Sequence, residues 1–356
     1  MANTIGMYTH LAGTAARAGV FYGVYELMNR VGRRFSGPEK KVKPNGPVPS
    51  AVELRKQWIG LLLEDARNVR DGVHLPLIDE EPESVLEQFN RLRAMFADIP
   101  ANMRRRSAGD GSEVARAPQD QKLPDYFVQN FHYQSGGYLT EESAKLYDMQ
   151  VETLFLGAAN AMRRQALKPI ADYIRDKDQR GVSVLDVACG TGRFLGQLMQ
   201  AFPAVSATGT DLSLPYVQEA RHHLRERSSV RFVQANGESL PFPDASQDIV
   251  TSIFLYHELP APVRRRVTAE IARVLKPGGI YVFIDSLQRG DKPDYDGLLE
   301  MFPIRFHEPY YAQYTRDDLD TMFEDAGLAE DSTWHAFMSK VMVRRKAKSR
   351  RKKKAA

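Results

Sequence analysis

The stretch VLDVACGTGRFLGQLM, Val184 to Met199, constrains the fold of this chain more than any other part of the sequence. An apolar run with strand spacing leads into two glycines, and apolar residues then resume at helical spacing. Glycines in such a turn permit positive φ and let a ligand approach the backbone, and the N-terminus of the following helix offers unpaired N–H groups to an anion. The stretch therefore predicts a strand, a ligand-binding turn and a helix, in that order.

After Pro169, strand-like and helix-like segments alternate along the chain, which is the pattern of βαβ units in a parallel sheet. Right-handed crossovers place helices on both faces, so we expect an α/β fold with a doubly wound, three-layer sheet. Ligands of such sheets bind at the carboxyl ends of the strands. The predicted strands are VSVLDVA, VSATGTD, SVRFVQA, QDIVTSIFLY, GGIYVFIDS and two closing strands within residues 328–346.

Helical spacing dominates the N-terminal half, and the whole chain divides into four predicted regions. Thr140 is the predicted N-cap of one long helix that continues to Leu167. The regions are an amphipathic helix with a Pro/Gly/Lys-rich linker (1–50), a helical cap (51–168), the α/β domain (169–343) and a disordered basic tail (344–356).

Charge and cysteine content limit the possible partners and the compartment. The net charge is +4, but the tail from Arg344 to Lys354 holds nine Lys or Arg residues, so the rest of the chain is mildly acidic. A nucleic-acid-binding surface requires a basic face on the folded part as well, and we therefore expect no nucleic-acid partner. The single cysteine, Cys189, excludes an internal disulfide and suits the cytoplasm.

The N-terminal helix leaves membrane contact open. No apolar run is long enough to span a bilayer. Residues 11–34 nevertheless combine an apolar face with basic residues, which is typical of a helix lying on an anionic membrane and equally of a helix packed on the protein body. The apolar face carries Phe21, Val24, Tyr25 and Met28, and the basic residues are Arg30, Arg33 and Arg34.

Four separate motifs follow one another along the α/β domain. Asp186 ends the first predicted strand, and Asp211 ends the second in GTDLS. FVQANGESLPFPDASQDIV follows the third strand, and VLKPGGIYVFID leads into the fifth. Together these motifs resemble the class I S-adenosylmethionine-dependent methyltransferases, in particular the branch of UbiE/MenG-like quinone methyltransferases, over residues 180–343.

The resemblance implies a Rossmann-like sheet of seven strands with the last antiparallel, S-adenosylmethionine as cofactor and S-adenosylhomocysteine as product. It implies that Asp186 binds the cofactor ammonium through water and that Asp211 accepts both ribose hydroxyls. The family's first loop glycine is an alanine here, and an Asp usually precedes the adenine contact where this chain has Asn. The remaining implied cofactor residues are Ala188, Gly190 and Gly192 at the methionine part, Leu212, Asn236 and Gly237 at the adenine, and Phe254 at the methionine side.

A dinucleotide site is the main alternative for the glycine turn. Its fingerprint needs a third glycine at position 195, where this chain has Leu195. An NAD(P)-dependent oxidoreductase, a cofactor-binding scaffold and a nucleic-acid-associated methyltransferase recruited by the basic tail remain alternative hypotheses.

Methyl transfer depends on alignment, and a base is needed only when the acceptor must lose a proton. FLYHELP places His257 just past the fourth strand, where it is the candidate catalytic base or else a residue that packs the next helix. It does not begin a zinc motif, because Ala261 stands where a second His is required. We predict no metal ligands.

The segment between Asp285 and Thr315 is much longer than an ordinary connection and predicts a lid with an aromatic lining. Such a lining suits a flat or greasy small molecule, such as a quinone, a phenol or a lipid-like intermediate. The oligomeric state is left open. The predicted substrate contacts are His307, Tyr310 and Tyr311 in the lid, and His132, Tyr133 and Tyr138 in the cap.

Overall fold

The computed structural model describes residues 3–36, 43–76, 84–117 and 121–348. Seven strands form one sheet: β1 (Ser183–Val187), β2 (Ser206–Asp211), β3 (Val230–Gln234), β4 (Gln247–Ile253), β5 (Leu275–Ser286), β6 (Leu328–Ala336) and β7 (Ser339–Lys346). The helices are α1 (Thr4–Gly32), α2 (Ala51–Arg70), α3 (Val85–Ala108), α4 (Glu141–Leu154), α5 (Ala159–Arg163), α6 (Leu167–Ile174), α7 (Arg193–Ala201), α8 (Leu214–His223), α9 (Ala261–Val274), α10 (Asp296–Phe306), α11 (Tyr311–Tyr314) and α12 (Leu319–Asp325).

The strand order is β3-β2-β1-β4-β5-β7-β6. Strands β1 to β5 pair in parallel, and β7 lies antiparallel between β5 and β6. The predicted fold class is therefore confirmed, including the antiparallel last strand. The order reverses between β1 and β4, which is where doubly wound sheets open a ligand cleft.

Alternate residues of the central strands bury into cores on opposite faces of the sheet, as the pleat requires. In β1, Val184 packs into one core and Leu185 into the other. In β5, Ile280 and Val282 face the first core while Tyr281 and Phe283 face the second. The three predicted layers are thus present.

Local sequence sets the helix starts in the N-terminal half. The side chains of Ser50 and Thr140 accept backbone N–H groups at the starts of α2 and α4, as predicted for Thr140. The prediction of one long helix to Leu167 was wrong, because the chain turns at Leu156 and Gly157, both with positive φ. The backbone of α1 crosses this turn so closely that a Cβ on Gly157 would lie 2.8 Å from Ala18 Cα.

The C-terminal boundary also differs from the prediction. Arg344, Arg345 and Lys346 belong to β7 and not to a basic tail, and Arg344 is fully buried. Its guanidinium bonds to Asp320 and to the backbone carbonyl of Ser332, and these contacts explain how the sheet accepts a buried arginine. Residues 349–356 lie outside the described part of the chain. In that part, no helix is both long and apolar enough to cross a membrane.

A buried ionic cluster attaches α1 to the rest of the protein. Asp65 of α2 accepts two charged hydrogen bonds from Arg164, and its Oδ2 lies 2.7 Å from His10 Nε2 in α1. Burial alone would raise the pKa of Asp65, but Arg164 and the bonds from His10 and His74 hold it well below its ordinary value. Asp65 is thus ionised and joins three segments that are distant in the sequence.

We predict that Asp65→Asn lowers the free energy of unfolding by about 3–5 kcal/mol, because it leaves the buried Arg164 without its carboxylate. The matched control is Asp172→Asn, whose exposed pair with Lys168 contributes about 1 kcal/mol at most. Urea unfolding of both variants measures the difference. The loss of stability in Asp65→Asn should be complete at pH values above 3.8, the ordinary pKa of an aspartate. It should shrink as the pH falls further, because only ionised Asp65 stabilises the fold. Equal effects of the two variants would contradict the anchoring role.

Candidate active site

A cleft opens at the carboxyl edge of the sheet, where the strand order reverses. Its walls come from the segments that follow β1, β2, β3 and β4, and the helical cap closes it from above. It holds about 800 Å³ of empty space, its open mouth included. The lining includes Ala188, Gly190, Asp211, Leu212, Asn236, Gly237, Phe254, Tyr138 and Glu258.

The glycine turn after β1 exposes its backbone to this cleft. Ala188, Gly190 and Gly192 all have positive φ. A Cβ added to Gly190 would meet no atom within 4 Å, so its backbone faces open space. Gly192 has a different role, since a Cβ there would lie only 3.2–3.3 Å from side-chain atoms of Ala220 and Phe232. Gly192 therefore allows close packing at the start of α7, and it does not line the cleft.

Two carboxyl groups flank the turn. Asp211 Oδ2 accepts the Gly190 N–H at 2.9 Å, and its Oδ1 accepts the Ser213 N–H at 2.8 Å. Asp186 Oδ1 accepts a bond from the Thr251 hydroxyl. Burial raises the pKa of Asp211 to about 6 and that of Asp186 to about 7. Both groups gain from a ligand that donates hydrogen bonds or carries positive charge.

The side chains after β3 and β4 form the opposite wall. Asn236 Oδ1 accepts the Glu238 N–H, which fixes the turn beside Gly237 and leaves Asn236 at the cleft. Phe254 has φ +60° and stacks on Phe155 of the cap, with ring centroids 6.2 Å apart. The strained backbone thus turns an aromatic ring toward the cap.

Aromatic side chains of the cap form the roof of the cleft. Tyr138 stacks on Phe131 and donates a 2.5 Å hydrogen bond to Glu258 Oε1. The sequence analysis named only Tyr138 of this group, although the aromatic density of DYFVQNFHYQSGGYL signals a lining surface. The roof residues are Tyr126, Phe127, Phe131, Tyr138 and Tyr147 of the cap, together with Tyr216 of α8.

A second, larger cavity lies on the other side of Tyr147, which lines both spaces. It holds about 1850 Å³ of empty space, counted in the same way. Its walls come from α1, α3, α4 and α10, which the sequence analysis did not bring together. The lining includes Tyr25, Met28, Gly32, Met95, Ile99, Met103, Val151, Leu154 and Phe306, with Arg33, Arg106 and Arg305 among the polar members.

The candidate base His257 is buried behind the cleft wall. Its Nδ1 lies 2.5 Å from Asp285 Oδ1, and its Nε2 lies 3.8 Å from Glu258 Oε1. Burial alone would lower the pKa of His257, but Asp285, Glu258 and Glu308 together raise it to about 10. Glu258, and not His257, lines the cleft.

Three side chains that can bind metal ions meet beside the cleft. His132 Nε2 lies 3.3 Å from Glu308 Oε1 and 3.9 Å from Glu258 Oε1. Sequence reasoning missed Glu308, because its only signal was a lone acid in the lid segment FHEPYY. The meeting of His132, Glu258 and Glu308 was therefore not predicted from the sequence.

The predicted substrate residues separate into two groups. Tyr138 lines the cleft and His132 lines the larger cavity. The other four lie outside both linings and make internal contacts: Tyr133 packs on the His307 ring, His307 and Tyr310 each bond to Gln129, and Tyr311 bonds to the Ser286 hydroxyl.

The comparisons with known proteins agree with this geometry. Residues 184–279 match the family described as Methyltransferase domain. A demethylmenaquinone methyltransferase of Geobacillus sp. is 31% identical over 176 residues, which are 43% of this chain and 73% of that protein. A fatty-acid O-methyltransferase of Mycolicibacterium smegmatis is 30% identical over 153 residues, or 42% of this chain and 54% of that protein.

A phthiotriol/phenolphthiotriol dimycocerosates methyltransferase of Mycobacterium tuberculosis is 33% identical over 130 residues, covering 36% of this chain and 46% of that protein. The chain thus spans about half the length of these two mycobacterial relatives and nearly three quarters of the Geobacillus one. The chain belongs to the class I S-adenosylmethionine-dependent methyltransferases.

The cleft suits the cofactor of this family. The open backbone at Gly190 leaves room for the methionine part, and Asp211 faces the cleft as a hydrogen-bond acceptor for a ribose diol. Asp211 lines the cleft, whereas Asp186 is buried and lies outside the lining; when ionised, both would favour a ligand that carries an ammonium and a sulfonium. Leu212, Asn236 and Gly237 line the same cleft, and their contact with the adenine stays a prediction.

We predict that Asp211→Asn weakens binding of S-adenosylhomocysteine at least tenfold, because the amide replaces one acceptor with a donor. Calorimetric titration measures the change, with Asp178→Asn, a remote helix cap, as the control. Unchanged affinity in Asp211→Asn would show that the cleft is not the cofactor site.

Cofactor affinity should also depend on pH. Only ionised Asp186 and Asp211 attract the ligand, and their pKa values are about 7 and about 6, so affinity is highest above pH 7 and falls as the pH drops toward 5. At about pH 6.5, between the two pKa values, both carboxyl groups are partly protonated in the free protein, so binding should release protons. Calorimetry in buffers of different ionisation enthalpy measures this release, and proton uptake would contradict the assignment.

Proposed function

We propose that this protein transfers a methyl group from S-adenosylmethionine to a small, largely apolar acceptor, such as a quinone, a phenol or a lipid-like intermediate. The observation that carries the proposal is the shared wall at Tyr147, which separates the cofactor cleft from the larger cavity. A ligand in the cavity lies next to the cleft, so an acceptor atom there has a short path to the cofactor.

The composition of the larger cavity supports an apolar acceptor. Methionine, aliphatic and aromatic side chains from α1, α3 and α4 cover much of it, and such surfaces bind greasy ligands. Arg33, Arg106 and Arg305 add positive charge, which suits an acceptor with one polar or anionic end. The named relatives methylate fatty acids, phthiotriol dimycocerosates or demethylmenaquinone, and this range is in keeping with the cavity.

The chain contributes mainly alignment to the reaction. When bound, S-adenosylmethionine supplies a methyl group on a sulfonium, which is already a good leaving group. Asp211 and the backbone at Gly190 would hold the cofactor, while Tyr147 and Phe254 exclude water and fix the approach of the acceptor. Alignment of this kind lowers the barrier by several kcal/mol.

His257 is best placed to support Glu258 from behind. Asp285 orients the imidazole, and Tyr138 donates to Glu258 Oε1, the oxygen that lies 3.8 Å from His257 Nε2, so the Glu258 carboxylate is held at the cleft wall. We infer that His257 is a positioning residue: it influences the acceptor only by holding the Glu258 carboxylate in place. Direct proton abstraction by His257 stays a prediction of the sequence analysis.

The test of the proposal uses labelled S-adenosylmethionine and a panel of acceptors: a long-chain fatty acid, a long-chain phenol and a reduced quinone. We expect label to appear in at least one organic-soluble product. Asp211→Asn should abolish this transfer. Cofactor binding without transfer to any acceptor in the panel would end the apolar-acceptor proposal and leave the family assignment intact.

A pair of glycines in α1 tests the acceptor cavity. A side chain at Gly32 would extend toward Met103 and Ile99 inside the cavity, whereas one at Gly23 would meet no atom within 4 Å. We predict that Gly32→Leu raises KM for the acceptor about tenfold, the effect of a few misplaced methyl groups, while Gly23→Leu leaves it unchanged. Binding of S-adenosylhomocysteine should be unaffected in both variants. Equal kinetics of the two variants would place the acceptor elsewhere.

We also propose contact between α1 and an anionic membrane surface, from which a lipid-like acceptor would enter. Tyr25 and Met28 of the predicted apolar face line the larger cavity. Val20 and Leu27, seven residues apart and so on one outer face of α1, are exposed, and Arg30 and Arg34 lie at its C-terminal end. Co-sedimentation with vesicles of phosphatidylserine and phosphatidylcholine tests this contact. Leu27→Glu should abolish binding to these vesicles. Equal binding to pure phosphatidylcholine vesicles would show that the anionic lipid does not contribute to binding.

A further inference from the structure

The cluster of His132, Glu258 and Glu308 is assembled from three separate segments. His132 comes from the 3-10 turn Phe131–Tyr133 in the cap, Glu258 from the turn after β4, and Glu308 from the lid between α10 and α11. One ligand atom from each residue lies within 4.8 Å of the other two. Such convergence needs the tertiary fold, since no local motif brings these residues together.

Glu308 is the feature that ordinary packing does not explain. The residue is 1% exposed, and neither carboxylate oxygen has a hydrogen-bond partner. Burial and the nearby Glu258 raise its pKa well above the ordinary value. A buried carboxylate without hydrogen bonds is strongly unfavourable, so either a proton or a cation completes this group.

His132 presents a neutral nitrogen to the two carboxylates. Burial lowers the pKa of His132 to about 3, so the imidazole offers a lone pair and no positive charge near neutral pH. Its backbone has φ +56°, a left-handed conformation that residues other than glycine rarely adopt. Asn102 helps to hold this conformation by donating to the His132 carbonyl.

We propose that His132, Glu258 and Glu308 bind a divalent first-row transition-metal ion. An ion about 2.0–2.2 Å from imidazole nitrogen and carboxylate oxygen atoms separates those atoms by about 3–4 Å, and the structure shows 3.3 and 3.9 Å. One imidazole with two carboxylates suits Mn²⁺, Fe²⁺ or Zn²⁺ better than Ca²⁺ or Mg²⁺. Tyr138 would orient Glu258 as an outer partner.

The position of the site gives the ion a role. His132 lines the larger cavity and Glu258 lines the cofactor cleft, so the ion lies between the two spaces. In a role that rests on the proposed function, its open positions would bind acceptors with an ionisable oxygen, such as a phenol, an enol or a carboxylic acid. A bound ion lowers the pKa of such an oxygen, which reduces the need for a protein base.

The experiment measures metal binding separately from activity. Untagged, chelator-treated protein is titrated with MnCl₂ and with ZnCl₂ by calorimetry, and metal content after dialysis is measured by mass spectrometry. We expect one equivalent of ion and a rise in the thermal unfolding midpoint. Glu308→Gln should weaken binding about 100-fold, because it removes a charged ligand, and Glu324→Gln, an exposed acid in α12, should bind as the wild type does.

Titration with S-adenosylhomocysteine separates this inference from the proposed function and shows that each variant is folded. Metal binding without cofactor binding would support the site and end the proposed function. Cofactor binding with less than a tenth of an equivalent of either ion, or equal metal affinity in Glu308→Gln and the wild type, would overturn the metal site. Glu308 would then be a protonated carboxylic acid, and its replacement by Gln would leave stability unchanged or raise it.

Discussion

Crowding of buried carboxyl groups at one edge of the sheet is the constraint on which the site depends. Asp186, Asp211, Glu258, Asp285 and Glu308 all lie near the carboxyl ends of the central strands. The first four accept bonds from backbone N–H groups, hydroxyl groups or an imidazole, and such dipoles compensate only part of the cost of burial. The edge therefore has unused affinity for positive charge, which a cationic cofactor can exploit.

Backbone strain gathers at the same edge. Ala188, Phe254, His132 and His307 adopt positive φ without being glycines, and each lies in or beside the site. Strained residues persist only where surrounding contacts over-determine them. The strained backbone positions a turn against the cleft, a ring against the cap and an imidazole against two carboxylates.

The sequence was informative where function lies in short, local motifs. The glycine turn, Asp186 and Asp211 stand at fixed places relative to strand ends, so the fold class and a ligand cleft at the carboxyl ends of the strands could both be predicted. The larger cavity could not, because α1, α3, α4 and α10 meet only through tertiary packing. The role of the lid aromatics stays a prediction, because composition alone does not separate a ligand surface from a packed one: the hydroxyl groups of Tyr310 and Tyr311 make internal hydrogen bonds.

The cleft at the sheet edge and the larger cavity are built mainly from different parts of the chain, and α1, which Asp65 helps to hold in place, belongs to the cavity. The segment that matches the methyltransferase domain, residues 184–279, carries the turn and both cofactor carboxylates. The walls of the larger cavity lie outside it, on α1, α3, α4, α10 and the turn at His132. The buried ionic cluster attaches α1 to α2 and to Arg164. Under the proposed function, changes in those helices would alter which molecule the cavity accommodates while the cleft at the sheet edge stays the same. Proteins that share only the central domain then indicate the class of reaction, and the N-terminal helices would determine which acceptor is bound.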